Sequence, residues 1–226
     1  MNVIYDGKTN TIVERGGKLL LRFKDTLLGD EHRRVDPGGD VVVGRVPGKG
    51  IASAASAARF FKVLKSAHVP THYVRQHSKD ELEIRLAEPI RLEVVYRALA
   101  YGSFLRRYRG HVSQLSRLDV VEFNMKEDIL HDPLINDDAI ARLQIASADE
   151  IRRMKQLTRK IYMCVSKDLE RYGLTLVDMK LEFGRIQKKL AMIDALSGDT
   201  MRVLDPKSGR ILSQLELAER LAKSSG

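Results

Sequence analysis

The chain of 226 residues has a single cysteine, no tryptophan and only 6 prolines. Cys164 cannot close an intramolecular disulfide, and its neighbours Met163 and Val165 mark it as a buried small hydrophobe rather than a nucleophile. No hydrophobic run approaches the roughly 18 to 20 residues that a membrane span requires. The opening MNVIYDGKTN has no basic segment followed by an apolar stretch, so a cytoplasmic protein without a secretory signal is expected. Aromatic residues make up 6% of the chain, which leaves few platforms for stacking single-stranded nucleic acid. The patterns GxGxxG, GxSxG, HExxH and CxxC are absent, so dehydrogenase, serine hydrolase and zinc-enzyme readings have no support.

What is present is an ordinary globular balance, 43% hydrophobic and 31% charged, with 39 Lys and Arg against 30 Asp and Glu. The resulting formal charge of +9 favours anionic partners. Nucleic acid, a membrane surface and small phosphorylated metabolites are the three to separate, and composition does not choose among them.

The first quarter reads as a meander of strands. VIYD, NTIVER and KLLLRFKD are punctuated by Asp6-Gly7 and Gly16-Gly17. PGGDVVVGRVPGKG follows as a glycine-rich loop, then a helix from Ile51 to about Ala67, stopped by Pro70. THYVRQ, LEIRLA and IRLEVVYR are strand-like, and Leu118 to Phe123 is a candidate for another strand before the polar loop KEDILHDPLINDD. The clearest helix starts at Ser147, whose spacing to Glu150 suits a capping box, and ends before Gly173. TLVDMKLEF alternates, placing Val177, Met179, Leu181 and Phe183 on one face and Asp178, Lys180 and Glu182 on the other. LAMIDALS reads as the antiparallel return strand, which brings Asp194 near Glu182. The expected class is one α+β unit with a strand-rich N-terminal lobe.

Three constellations carry chemistry. Lys180, Glu182 and Asp194 suit a nucleotide site, with carboxylates for Mg²⁺ and an ammonium for phosphate; a solvated, salt-bridged sheet face is the plain alternative. Arg97, Ser103, Arg106 and Arg107 in YRALAYGSFLRRY suit a phosphate, held by a hydroxyl and a guanidinium fork, or else form a basic helix edge. Lys126, Asp128, His131 and Asp132 share a proline-fixed loop in which His131, taken alone, reads as a surface histidine. Gly7-Lys8 after a short strand is a weak phosphate signal that lacks the full Walker pattern.

Taken in order, these segments resemble one family, the SAICAR synthetases of purine biosynthesis. YDGK at 5 to 8 is similar to the family's YxGKAK, and FKDTLLGD at 23 to 30 to its FRNDTSAGD-type segment. Pro70-Thr71-His72 matches IPTH, and LEVVYRALAYGSFLRRY resembles PxEVVVRNxAAGSLxRRY. KEDILHDPLIND, LVDMKLEFG and IDALSGDTMRVLD resemble the family's KNDxxxDPxxNE, LVDFKLEFG and ADEISPDTMRLWD.

The resemblance implies a two-lobed fold, with an antiparallel β-rich, ATP-binding lobe over residues 1–75 and a larger α+β lobe over 76–226, the ATP site lying between them. It implies ligation of L-aspartate to a carboxylated imidazole ribonucleotide, with ATP and Mg²⁺. Lys8 and Lys180 are then expected at the ATP phosphates, with Glu182 and Asp194 holding Mg²⁺ and the nucleotide. Arg97, Ser103 and Arg202 are expected at the ribonucleotide's phosphate and carboxylate, and Asp132 near its ribose or base. Lys126, Asp128 and His131 belong to a loop closing over the substrates, and Lys126, Lys180 and Asp194 are the expected catalytic groups. Partners are then small molecules rather than nucleic acid or membrane, with a homo-oligomer left open.

The departures cluster near the expected ATP site. The second lysine of GKAK is Asn10, and the acid that follows Asp194 in the family is Ala195. Gly198 replaces a proline, Ala98 an asparagine and Tyr101 an alanine, and KGIASAASA lacks the family's paired asparagines. Two further readings stay open on this ground: a paralog that amidates a pyrazole C-nucleotide in nucleoside-antibiotic synthesis, and a non-catalytic nucleotide-binding paralog.

Overall fold

Strands β1 (Asn2–Asp6), β2 (Asn10–Arg15) and β3 (Lys18–Phe23) form the expected antiparallel meander. Gly16 and Gly17 join β2 to β3 at φ of 59° and 71°, a two-residue turn whose positive dihedrals match the twist of the flanking strands. The structure, a computed structural model, describes residues 2–29, 32–36, 39, 41–130 and 132–223, and for Asp128 the backbone alone.

The segment expected to be a glycine-rich loop contains a strand. β4 (Thr26–Gly29) pairs with β5 (Val41–Arg45), because the β-branched run Val41-Val42-Val43 finds a partner edge that local glycines do not reveal. Helix α1 (Lys49–Ser66) starts two residues ahead of the expected Ile51, directly after Gly48 at φ 85°. It presses Phe60, Phe61 and Leu64, all fully buried, into the core.

β6 (Tyr73–Gln76) and β7 (Glu81–Ile84) then return to the first sheet, whose order is β1-β2-β3-β7-β6. That sheet therefore continues past the expected lobe boundary at residue 75, since β7 hydrogen-bonds directly to β3.

The second sheet begins with the long β8 (Glu88–Leu99) and β9 (Arg117–Met125), and helix α2 (Gly102–Arg107) lies between them in the chain. A single turn at Asp128–Leu130 and helix α3 (Asp137–Arg142) follow. Helix α4 (Ala148–Glu170) has the expected Ser147–Glu150 capping box, and Gly173 sits past its end at φ 69°. β10 (Thr175–Ile186), β11 (Lys189–Ile193), β12 (Met201–Asp205), β13 (Arg210–Ile211) and helix α5 (Gln214–Ala222) complete the chain. The order is β13-β12-β10-β8-β9, with β11 also on β10.

One apolar cluster joins both sheets. Leu21, Leu82 and Phe61 share it with Leu92, Leu181, Phe183 and Met192. Beside it lies a buried polar knot. Lys49 Nζ reaches Asp199 at 2.8 and 2.9 Å, while Ser53 and Gln214 donate to the same carboxylate, locking α1 and α5 to the loop before β12.

Candidate functional site

β10 presents its polar residues in the expected alternation, but they are not a wet face: Asp178 is buried and Glu182 nearly so. The reason is the register. β8 lies alongside, placing Arg97 opposite Asp178 and Glu93 opposite Glu182. On the other edge β11 returns through Gln187 and Lys188, both at positive φ, and sets Ile193 opposite Glu182. Asp194 follows at once, held at φ 63°, a conformation uncommon outside glycine.

A first group of charges gathers at this end of β10. Lys126 Nζ donates to Glu182 Oε1 at 2.5 Å, and Lys180 Nζ to Glu93 Oε1 at 2.7 Å. Asn10 Nδ2, from the first residue of β2, donates to Asp194 Oδ1 at 3.1 Å. Tyr5 of β1 stands 6.0 Å from the Lys126 ammonium, so the first sheet closes over the second here. Burial, and then the Asp194 carboxylate, push the Glu182 pKa up to about 7 against the pull of Lys126 and Lys180. Burial opposes the charge on Lys126, but the Glu182 carboxylate outweighs it and the lysine's pKa is raised. His72 lies fully buried behind Asp194. Burial lowers its pKa to about 4, while the charge of Asp194 and a hydrogen bond to that residue's backbone act the other way.

A second group gathers around Asp178. Arg97 donates through Nε to Glu122, through Nη1 to Asp178 and through Nη2 to Ser103. Arg202 reaches Asp178 through Nη1 at 2.6 Å and Asp36 through Nε at 3.0 Å. Gly102 is required here: a Cβ would lie 3.0 Å from the Arg202 guanidinium, and the residue sits at φ 54°. Arg107, read from sequence as part of a phosphate site or of a basic helix edge, donates to Glu122 of β9 at 2.6 Å.

The remaining expected residues are placed less centrally. Lys8 is at the tip of the β1–β2 turn, where Thr26 Oγ1 anchors its carbonyl. Asp132, at φ 47°, accepts the Glu127 backbone N–H at 2.7 Å, closing its loop on itself. His131 lies outside the described residues, and only the backbone of Asp128 is described.

The site thus combines a carboxylate and lysine cluster with a paired-arginine cluster on one strand. Across residues 3–216 the sequence matches the model of the SAICAR synthetase family. The chain belongs to the SAICAR synthetase family.

Among relatives, the phosphoribosylaminoimidazole-succinocarboxamide synthase of Clostridium tetani is 38% identical over 224 residues, covering 96% of this chain and 97% of its own. That of Aquifex aeolicus is 33% identical, covering 91% and 93%. A SAICAR synthetase solved in complex with ADP superposes with a TM-score of 0.87 at 28% identity, covering 100% of this chain and 99% of its own. The enzyme of Ehrlichia chaffeensis gives 0.89 at 25% identity over the whole of both chains.

Within this SAICAR synthetase fold, sequence reasoning singled out Lys126, Lys180, Glu182 and Asp194 and, separately, Arg97, Ser103 and Arg202. The structure brings each set together. It adds Glu93, Asp178, Glu122, Asp36 and the Asn10–Asp194 contact, which were not anticipated. Asp178 was visible on the polar face of β10, but its two arginine partners come from β8 and β12, and strand order is not written in local spacing. Ala195, read as a missing acid, belongs to the apolar core.

Proposed function

We propose that the protein joins L-aspartate to the carboxylate of 5-aminoimidazole-4-carboxylate ribonucleotide, consuming ATP and yielding SAICAR, ADP and phosphate. One observation carries the assignment of roles to residues. The polar face of β10 holds the arginine cluster at Asp178 and the lysine and carboxylate cluster at Lys180 and Glu182, about 7 Å apart for each two residues of strand. That separation suits a ribonucleotide bound by Arg97, Ser103 and Arg202 with its ring carboxylate turned toward an ATP γ-phosphate.

A carboxylate resists amines because oxide is a poor leaving group. In the first step its oxygen attacks the γ-phosphorus, the bond to the β-phosphate oxygen breaks and ADP departs. In the second the amine of aspartate attacks the acyl carbon, loses a proton and expels phosphate. Positioning and charge neutralisation supply most of the rate in such transfers. Lys8 and Lys180 carry the phosphate contacts, and Lys126 acts beside Glu182.

Glu182 and Asp194 are the residues suited to Mg²⁺. Their mutual repulsion, which helps raise the Glu182 pKa, is relieved by a divalent cation. Among the described residues no three acidic, histidine or cysteine side chains form a metal cage. A pair of carboxylates completed by substrate phosphate and water is the usual arrangement for Mg²⁺. The bound ion supplies neutralisation of phosphate charge.

The test is ADP release with the imidazole ribonucleotide, its pyrazole analogue, or neither, each with and without aspartate. ADP formation that requires both the imidazole ribonucleotide and aspartate is expected. No turnover at saturating ATP and Mg²⁺ would overturn the assignment, and turnover with the pyrazole alone would transfer it to the other ring.

A further inference from the structure

Asn10 stands where the sequence suggested a lost positive charge, yet its side chain is engaged. Its Nδ2 donates to Asp194 Oδ1 across 184 positions of chain, from the first sheet to the second. Among the described residues it is the one side chain that hydrogen-bonds the Asp194 carboxylate. The donor itself is rigidly placed. Gly7 N–H bonds the Asn10 carbonyl at 2.9 Å, Lys24 N–H bonds Thr9 at 2.8 Å, and Lys24 Nζ bonds the Gly7 carbonyl at 2.7 Å.

The acceptor is equally constrained. Asp194 has its backbone in the left-handed region, with His72 behind it and the buried Ala195 after it. With Oδ1 taken by a neutral amide, rotation of the carboxylate about the Cβ–Cγ bond is fixed and no cation is added at that oxygen. An ammonium at the same place would have cancelled the carboxylate's charge.

We propose that Asn10 is a positioning residue for Asp194: its amide fixes one carboxylate oxygen so that the other is presented to the divalent cation that accompanies the nucleotide. This rests on the reading of Asp194 as a metal and nucleotide group, and it reverses the sequence expectation that Asn10 weakens the site.

Calorimetric titration of ADP into the full chain, in Mg²⁺ and in chelator, tests it. Asn10→Ala should weaken ADP binding in Mg²⁺ by about tenfold, the scale of one hydrogen bond to a charged group, and leave binding in chelator unchanged. Asn10→Gln, which keeps the amide, should recover part of the loss. Unchanged affinity of Asn10→Ala in Mg²⁺ would overturn the proposal. So would an equal loss with and without Mg²⁺, which would mean that the contact only docks the hairpin. Asp194→Asn separates the two levels: if it binds ADP in Mg²⁺ as tightly as the unaltered protein, the reading of Asp194 itself fails. If it loses that binding while Asn10→Ala does not, only the role of Asn10 fails.

Discussion

Arg97 and Arg202 donate to the same atom, Oδ2 of Asp178, at 3.2 and 2.6 Å. Two guanidiniums from β8 and β12 are thereby held side by side over the middle strand, with one buried carboxylate balancing them. Like charges this close are stable only because Asp178, Glu122 and Asp36 surround them. The orientation of both guanidiniums is thus set by contacts within the protein.

Asp178→Asn keeps the shape of that site and removes its central charge. The two arginines should lose their common alignment, raising the KM for the ribonucleotide about tenfold, the value of one charge-assisted hydrogen bond. Steady-state kinetics with each substrate varied in turn checks this. A KM for ATP that rose in step would mean that β10 as a whole had been disturbed.

Lys180→Met should act on the other substrate. Loss of an ammonium aimed at developing phosphate charge costs on the order of 10²- to 10³-fold in turnover. The ADP-release rate, read well below the thermal midpoint, should fall by that much, and the midpoint should fall too because the buried Glu93 loses the ammonium that donates to it. A variant that turns over ATP at the original rate would remove Lys180 from the phosphate contacts.

The Lys49–Asp199 pair is a matter of stability rather than chemistry. With side chains 1% and 4% exposed, neither charge can be left alone. Lys49→Met should cost about 3 to 5 kcal/mol in urea unfolding, since Asp199 then remains buried without its cation. The double variant Lys49→Met with Asp199→Leu should be less damaged than the single one. Equal loss in both would show that Ser53 and Gln214 can satisfy Asp199 unaided.

His72 gives the fold a dependence on acid. Its folded pKa, lowered to about 4 chiefly by burial, lies below the 6.5 of the free side chain, so the native state binds fewer protons than the unfolded one between those values. The neutral ring's stabilising share is complete above pH 6.5 and is lost as pH falls toward 4, a change of roughly 3 kcal/mol. Urea midpoints at pH 7.5 and 4.5 should therefore differ more for the unaltered chain than for His72→Leu. A difference of the same size in both would assign the acid sensitivity elsewhere.

Much of the architecture was legible locally because its causes are local. The Gly16-Gly17 turn, the Ser147–Glu150 capping box and the alternation along 175–183 each follow from conformational preferences within a few residues. The second capping box, Ser213 with Glu216 at the start of α5, carries the same local signal in SQLE. β4 and β5 have a different cause: a four-residue strand is stabilised by its partner, and that partner begins only at Val41, beyond the reach of a tight-turn signal.

The sequence alone determined which chemical groups the protein carries and, through the order of its motifs, the family to which it belongs. Only the tertiary structure decided which of those groups meet. Lys180 with Glu93, Lys126 with Glu182, Asp178 between two arginines and Asn10 on Asp194 all depend on sheet order and register. Those are fixed by burial of a core shared across the whole chain, and shifting one strand by a single residue would turn each polar face the other way.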